Sequence, residues 1–223
     1  MDLISEGIKA LLKSDNDIER LLSCRFEEVI YLLDRYKNEI ELFNSAYGLT
    51  GTSDTKELII RHILDSLAPL GILYRLLSKT ENYKIADAGS GAGLPGIPLA
   101  IAMPNCEFTL IERMGRRAAF LCNVKAMLRI PNITVEECEL EKTQKESFNL
   151  VTFRAFKPLE LKLLKTLVRV LKKGGVIAAY KGRFQKTEQE MAPFKDFECN
   201  WETIPYNVPF LEEERHILVI KTN

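Results

Sequence analysis

The sequence predicts an α/β fold: an N-terminal helical region, then a mostly parallel, doubly wound seven-stranded sheet closed by an antiparallel hairpin. Two observations carry this prediction. Apolar residues recur at helical spacing over residues 3–77, and after residue 80 short apolar runs alternate with helical stretches. We therefore expect residues 1–80 to form a helical region packed on the core of a second unit, residues 81–223, which contains the sheet.

The helical region shows three amphipathic segments, in which apolar side chains lie mainly three or four residues apart. These side chains are Ile8, Leu11 and Leu12, then Phe26, Ile30 and Leu33, then Ile60, Ile63, Leu64 and Leu67. A loop with two glycines, residues 47–53, precedes the third segment. Asp54, followed three residues later by Glu57, resembles a capping box and predicts that a helix begins there.

The second unit contains five short apolar runs that predict parallel strands buried on both faces. They are residues 85–88, 108–111, 133–135, 150–153 and 176–180. Helices are predicted between them, including 159–171 and 117–127, the latter with an apolar face made by Phe120, Val124 and Met127. Residues 201–208 and 216–222 follow each other across a short turn region that contains Pro209, which predicts the closing hairpin.

The composition is that of an ordinary soluble protein with one sizeable core, since 46% of the 223 residues are hydrophobic and 28% are charged. Basic and acidic residues balance at 31 each, so a nucleic acid would have to be held by local patches. The cysteines at 24, 106, 122, 138 and 199 form no Cys-x-x-Cys pair. We interpret them as reduced core residues, and no metal site is indicated. A basic leader and a run of about 20 apolar residues are both lacking, which predicts a cytoplasmic protein without a membrane span.

A glycine-rich run, residues 85–96, lies where the first strand ends and a helix begins. Glycine permits positive φ and allows backbone N–H groups to approach a ligand, and the following helix offers uncapped donors. Gly91, Gly93 and Gly96 also satisfy the dinucleotide fingerprint, with Glu112 ending the next strand at a distance suited to a ribose. An NAD-dependent oxidoreductase therefore remains an alternative.

Three further features favour a methyl donor over a nicotinamide. Asp87 lies two residues before the first glycine, five parallel strands and a hairpin are predicted, and a Lys-Lys-Gly-Gly turn, residues 172–175, precedes strand five. Together they resemble the Class I S-adenosylmethionine-dependent methyltransferases, whose fold is Rossmann-like. The resemblance implies that Asp87 lies near the methionine end of the cofactor and that Glu112 accepts hydrogen bonds from the ribose. Helix capping by both acids is the competing interpretation.

The end of strand four is where this architecture brings the methyl acceptor. Residues 152–158 contain neither the Asp/Asn-Pro-Pro-aromatic run of exocyclic-amine methylases nor the Pro-Cys nucleophile of cytosine-carbon methylases. An acceptor that needs neither a base nor a covalent nucleophile remains, and guanine N7 has that character. Transfer would then be a direct in-line displacement that depends on positioning.

Separated runs along nearly the whole chain resemble the small-subunit ribosomal RNA guanine-N7 methyltransferases, also known as glucose-inhibited division protein B. The runs are residues 61–67, 89–98, 154–155, 181–182, 214–216 and 220–221. The resemblance implies transfer from S-adenosylmethionine to N7 of a guanine in small-subunit (16S) ribosomal RNA, with Arg154 as a positioning residue where cofactor and guanine meet and with no general base. This resemblance assigns Gly89, Leu94 and Arg154 to the cofactor, with Leu140 and Glu141 beside the adenine. The glycine-rich loop and the Class I resemblance add Gly91, Gly93, Asp87 and Glu112. Gly48 and Phe153 depart from the family pattern, which has asparagine at the first position and often serine at the second.

Substrate contacts are expected from two regions. Arg61, His62, Asp65 and Ser66 share one helix, with Arg61 and Asp65 one turn apart and able to pair on its surface. Lys181 and Arg183 follow strand five on the ligand-binding rim, and Arg215 precedes the last strand. The expected partner is small-subunit ribosomal RNA or the small ribosomal subunit, and the expected state is a monomer. A methyltransferase of another substrate, or a module that binds the cofactor without catalysis, remains possible.

Overall fold

The chain is mainly helical from Leu3 to Leu76 in the computed structural model, which describes residues 2–77, 82–154, 159–194 and 199–222. The helices of this region are α1 (Leu3–Ser14), α2 (Asn16–Leu22), α3 (Phe26–Tyr47), α4 (Thr55–Leu58), α5 (Asp65–Leu67) and α6 (Leu70–Leu76). A π-helical stretch, Ile59–Leu64, joins α4 to α5. The predicted helical region is confirmed. Its boundary with the second unit falls within residues 78–81, outside the described residues, and stays a prediction.

Side-chain caps explain where several of these helices begin. Asp2 accepts from Ile4 N–H at 3.1 Å, Asp15 from Asp17 N–H at 2.8 Å, and Asp54 from Glu57 N–H at 2.6 Å. The Asp54 cap is as predicted. The reciprocal half of the capping box is absent at this position, because Asp54 N–H donates to Thr52 Oγ1 and the Glu57 carboxylate accepts from the same hydroxyl.

The seven-stranded sheet has the order β3-β2-β1-β4-β5-β7-β6. The strands are β1 (Lys84–Ala88), β2 (Glu107–Ile111), β3 (Ile133–Glu136), β4 (Phe148–Arg154), β5 (Leu171–Lys181), β6 (Cys199–Pro205) and β7 (His216–Thr222). The first five are parallel, and β7 runs antiparallel between β5 and β6. The predicted fold class is therefore confirmed, including the closing hairpin.

The predicted end of the first hairpin strand at residue 208 is wrong. The strand β6 ends at Pro205, and residues 206–215 form a longer connection. Tyr206 and Val208 are nevertheless buried in the core. Their apolar pattern reflects this packing, which the sequence alone does not distinguish from a strand.

Helices cover both faces of the sheet, because successive strand residues alternate between two core clusters. The helices of the second unit are α7 (Gly96–Ala102), α8 (Gly115–Leu128), α9 (Leu161–Val170) and α10 (Phe184–Met191). One cluster joins the N-terminal helices, α7 and α8 to the sheet. The other joins α9 and the end of α10 to the opposite face. The N-terminal helices therefore share the main core with the sheet.

Two predictions about burial need correction. Met127 is 46% exposed, because the buried face of α8 passes through Leu121, Val124 and Leu128. Cys24 and Cys122 are exposed, whereas Cys106 is buried, and the side chain of Cys199 lies outside the described residues. The interpretation of the cysteines as core residues is thus wrong for two of them. Within the described ranges, no helix is both long and apolar enough to cross a membrane.

Candidate functional site

The loop between β1 and α7 takes its shape from its glycines. Gly89, Gly91 and Gly93 have φ values of 70°, 58° and 91°, a region that other residues rarely adopt. A Cβ atom on Gly93 would also overlap the side chains of Ile97 and Leu121. On Gly96, the first residue of α7, it would lie 2.6 Å from Asp87 Oδ2. The loop therefore has no space for larger residues where it meets α7.

Most backbone donors of this loop bond within the protein rather than facing a ligand. Gly89 N–H donates to the Ile111 carbonyl at 2.9 Å, and Gly93 N–H donates to the Ser90 carbonyl at 2.7 Å. Gly91 N–H donates to Glu112 Oε2 at 2.9 Å, and Gly96 N–H donates to Asp87 Oδ2 at 3.0 Å. The expectation that these donors and the start of α7 bind the ligand stays a prediction, because all four groups bond within the protein here. Two of them hold the acidic side chains in place, since Gly91 N–H bonds to Glu112 and Gly96 N–H bonds to Asp87.

Asp87 is completely buried at the end of β1. Its Oδ2 atom caps α7, as the capping interpretation predicted, but Oδ1 has no hydrogen-bond partner among the described residues. Burial raises the pKa of Asp87 to about 6. A buried acceptor without a donor is costly unless something else supplies one, and a cationic group would suit it.

Glu112 follows β2 and is held by two backbone groups. Its Oε1 accepts from Met114 N–H at 2.8 Å, while its Oε2 accepts from Gly91 N–H. It lines a cavity of about 530 Å³ at the carboxyl ends of β1, β2 and β3, where ligands bind in such sheets. We call this the cofactor cavity. Its other lining residues are Gly89, Ile111, Arg113, Met114, Arg117, Cys138, Glu139, Leu140, Glu141 and Lys162.

Four of the predicted cofactor residues therefore lie in the wall of this cavity: Gly89, Glu112, Leu140 and Glu141. Leu140 and Glu141 belong to a short 3₁₀ turn whose carbonyls accept hydrogen bonds from Arg169 at 3.0 Å. The other five predicted residues do not line the cavity. Asp87, Gly91, Gly93 and Leu94 belong to β1 and its following loop, and Arg154 lies at the end of β4.

The N-terminal region supports the loop through contacts that the sequence did not reveal. Tyr36 in α3 is fully buried and donates its hydroxyl to the Ala92 carbonyl at 2.7 Å. Arg117, a wall residue of the cofactor cavity, donates to the Gly48 carbonyl at 2.7 Å. Gly48 ends α3 in a left-handed conformation, which glycine and asparagine both accept. Arg117 bonds to the backbone of residue 48, so the contact does not depend on the side chain there. Glycine in place of the asparagine of the family pattern therefore preserves it.

Arg154 ends β4, next to β1, and is only 15% exposed. Its Nη1 donates to the carbonyls of Arg61 and His62 at 3.2 and 3.3 Å, and lies 3.3 Å from Asp65 Oδ2. Its Nη2 lies 3.0 Å from His62 Nδ1. The π-helical stretch is therefore fixed against the end of β4. Residues 155–158, which complete the predicted acceptor segment, lie outside the described residues.

His62 is a neutral imidazole in this environment. Burial, assisted by the positive charge of Arg154, lowers its pKa to about 4. Because a guanidinium only donates, Nδ1 must be the acceptor, and the single ring proton then resides on Nε2. His62 consequently offers one N–H donor.

The predicted surface pair between Arg61 and Asp65 is wrong. Asp65 is buried and bonds to the Tyr206 hydroxyl at 3.0 Å and to Arg154. Arg61 instead pairs with Glu57 at 3.6 Å and with Glu213 at 2.9 Å. Residues 59–64 form a π-helix, in which residues four apart do not align as they do in an α-helix. The side chains of Arg61 and Asp65 therefore bond to different partners.

A second cavity, about 510 Å³, lies beside Arg154, and we call it the acceptor cavity. It brings together six residues predicted from sequence: Arg61, His62, Asp65, Arg154, Lys181 and Arg215. Ser66 is buried behind it and donates to the His62 carbonyl at 2.6 Å. Lys181 pairs with Glu190 at 2.6 Å. Arg183 lies in the wall of an adjoining cavity of about 770 Å³.

Comparison with known proteins finds a matching family model and similar sequences. A family model described as rRNA small subunit methyltransferase G matches residues 30–218. Proteins named ribosomal RNA small subunit methyltransferase G are similar along most of their length. The one from Treponema denticola is 36% identical over 99% of this chain and 96% of its own. The one from Treponema pallidum (strain Nichols) is 41% identical over 86% of this chain and 84% of its own.

Solved structures share the fold at low sequence identity. A SAM-dependent methyltransferase from Aquifex aeolicus superposes with a TM-score of 0.55 at 13% identity, covering 75% of this chain and 93% of its own. An rRNA methylase from Streptococcus thermophilus superposes with a TM-score of 0.51 at 13% identity, covering 69% of this chain and 96% of its own.

Proposed function

The chain belongs to the rRNA small subunit methyltransferase G family, and from this premise we propose that it methylates N7 of a guanine in small-subunit (16S) ribosomal RNA, with S-adenosylmethionine as donor. One observation supports the reaction most strongly. The buried carboxylates of Asp87 and Glu112 and the Arg154–His62 pair all lie at the carboxyl ends of β1, β2 and β4, which are neighbours in the sheet. This edge of the sheet therefore offers acceptors for a cationic donor and hydrogen-bond donors for a base.

The described residues fit S-adenosylmethionine. Asp87 Oδ1, buried and without a partner, suits the ammonium of the methionine end. Each oxygen of Glu112 receives one backbone N–H and retains a lone pair for a ribose hydroxyl. Leu140 and Glu141 would flank the adenine at the far wall of the cofactor cavity. When bound, the cofactor supplies an electrophilic methyl group on a sulfonium centre.

Guanine N7 carries a lone pair and no hydrogen, so the protein has no proton to remove there. The side chains of the acceptor cavity then act by positioning, which contributes about 7–11 kcal/mol in favourable systems. Arg154 orients His62 and the π-helical stretch through four contacts. We propose no general base, since Asp65 is already bonded to Tyr206 and Arg154.

His62 would give the cavity its preference for guanine. The edge that carries N7 also carries O6, an acceptor, where adenine carries an amino group. The Nε2–H of His62 matches O6 and would face a like donor on adenine. A polar site left unpaired in this way discriminates strongly.

The RNA backbone would be held by the basic rim that follows β5 and precedes β7. Lys181, Arg183 and Arg215 line the acceptor cavity or the one adjoining it. We propose that the protein acts as a monomer in the cytoplasm on the small ribosomal subunit or its RNA. Family membership outweighs the oxidoreductase alternative, which rested on the glycine pattern and the position of Glu112.

Purified protein tests both halves of the proposal. In calorimetry it should bind S-adenosylmethionine and not NAD. With a labelled methyl donor it should transfer label to small subunits, or to their naked RNA, from cells that lack this activity. Binding of the cofactor without any transfer to either RNA substrate would favour the module without catalysis, and NAD binding would refute the cofactor assignment.

A further inference from the structure

Glu213 lies in the β6–β7 connection and is held by two arginines at the acceptor cavity. Arg61, from the π-helical stretch, donates through both terminal nitrogens, with Nη1 2.9 Å from Oε2 and Nη2 2.5 Å from Oε1. Arg215 donates from Nη2 to Oε2 at 3.2 Å. Among the described residues, these two arginines account for every hydrogen bond of the Glu213 carboxylate. One carboxylate thus occupies a two-guanidinium site.

The arginines have other anchors, whereas the carboxylate does not. Arg215 is 16% exposed and lies 3.5 Å from the buried Asp65, and its Nη1 donates to the Glu214 carbonyl. Arg61 also pairs with Glu57. The Glu213 side chain is 48% exposed, and ion pairs at such exposure are weak. Glu213 could therefore leave while both guanidinium groups remain in place.

The Glu213 carboxylate is charged at neutral pH. Hydrogen bonds from Arg61 and then from Arg215 lower the pKa of Glu213 to about 2. Another anion that replaced it would restore the ion pairs that the two guanidinium groups lose when Glu213 leaves. A phosphate presents the same paired oxygens, and arginine binds both groups bidentately.

Basic residues continue away from the acceptor cavity into the adjoining one, which Glu190 and Glu214 line as well. Glu213 and Arg215 also line the adjoining cavity, together with Arg183 and Lys186. Within the described ranges, neither Arg183 nor Lys186 belongs to an ion pair. A chain of phosphates that passes the acceptor cavity would meet Arg61 and Arg215 first and these two residues next.

We propose that Arg61 and Arg215 form a binding site for a backbone phosphate of the substrate RNA, and that Glu213 occupies this site in the free protein and is displaced when RNA binds. The inference rests on the proposed function in that the polyanion is RNA. Because every RNA must displace Glu213, this residue would weaken the binding of all RNAs. The substrate would offset that cost, since it also places a guanine in the acceptor cavity.

The test compares Glu213→Gln with the control Glu212→Gln. The control removes the same charge from the preceding residue, whose side chain is exposed and belongs to none of the described ion pairs. Binding of small-subunit RNA is measured at several salt concentrations. Glu213→Gln should tighten binding about three- to tenfold at low salt and steepen the plot of log K against log salt by about 0.7–0.9, the effect of about one additional uncompensated charge. Glu212→Gln should change both quantities much less. Affinity for S-adenosylmethionine should be unchanged in both variants.

A second comparison assigns the gain to the arginines. Glu213→Gln combined with Arg61→Ala should lose the extra affinity and the added slope. Equal RNA affinity and equal slopes for Glu213→Gln and Glu212→Gln would overturn the inference, as would a gain that persists in the double variant. The proposed function is judged separately by methyl transfer: wild-type protein that binds RNA without transferring methyl would refute the function, while the binding comparison would still decide the phosphate site.

Discussion

The Nη2 atom of Arg154 donates a hydrogen bond to Nδ1 of His62 across 3.0 Å, joining the end of β4 to the N-terminal helical region. This contact places the only proton of the imidazole on Nε2. His62→Ala should therefore lower kcat/KM for ribosomal RNA about 10- to 100-fold, the value of one base-edge contact, and leave the affinity for S-adenosylmethionine within about twofold. Steady-state kinetics and calorimetry measure the two quantities. Equal losses in both would assign His62 a structural role instead.

The same environment predicts a pH dependence of stability. The folded-state pKa of His62 is about 4 and its ordinary value is 6.5. Between these values the unfolded chain binds more protons, so this residue's contribution to the free energy of unfolding rises with pH and is complete above 6.5. Denaturant titrations at pH 5 and pH 7 should show wild type losing more stability on acidification than His62→Gln. Parallel losses in the two proteins would contradict the buried neutral imidazole.

For Asp87 we predict the opposite pH dependence of stability. Burial raises its pKa from 3.8 to about 6, so the folded state binds the additional proton within that window and stability falls as pH rises through it. Asp87→Asn should therefore raise the free energy of unfolding at pH 7.5, by up to about 3 kcal/mol, with the gain vanishing near pH 4. The variant should also lose affinity for S-adenosylmethionine. Retained affinity would show that Asp87 only caps α7.

Tyr36 tests the support that the N-terminal region gives to the glycine-rich loop. Tyr36→Phe removes the hydrogen bond to the Ala92 carbonyl and should cost about 1 kcal/mol of stability. Because the loop carries the groups that hold Glu112, affinity for S-adenosylmethionine should fall several-fold. Tyr31→Phe is the matched control, since Tyr31 is on the same helix and 59% exposed. Indistinguishable cofactor affinities for the two variants would refute the coupling.

Lys181→Ala should weaken use of RNA more than binding of the cofactor. Its ammonium lies at the acceptor cavity, paired with Glu190. Lys173, at the opposite end of the same strand and exposed, provides the control substitution Lys173→Ala. The KM for ribosomal RNA should rise in the first variant and not in the second. A similar loss of RNA use and cofactor affinity in Lys181→Ala would refute its assignment to RNA.

Periodicity and turn residues were enough to predict the fold, because they depend on local spacing. The short apolar runs after residue 80 predicted the parallel sheet, and Asp54 predicted where α4 begins. The boundary at Pro205 was missed because a buried connection has the same apolar residues as a strand.

The positions of Asp87, Glu112 and Arg154 at or just after strand ends were predictable from sequence, whereas their assignment to the cofactor stays a prediction. Partners were not predictable where the backbone departs from regular geometry. The π-helical stretch separates Arg61 from Asp65, and helical spacing cannot anticipate this. The hydroxyl of Tyr36 was also missed, since an aromatic residue at an apolar helix position looks like any core residue until its long-range partner is known.

Mass mapping of small-subunit ribosomal RNA from cells that lack this gene tests the central claim most directly. We predict that one guanine loses a single methyl group at N7 and regains it when wild-type protein is restored, but not when the Asp87→Asn variant is. A methylation pattern identical to that of the parent cells would contradict the account.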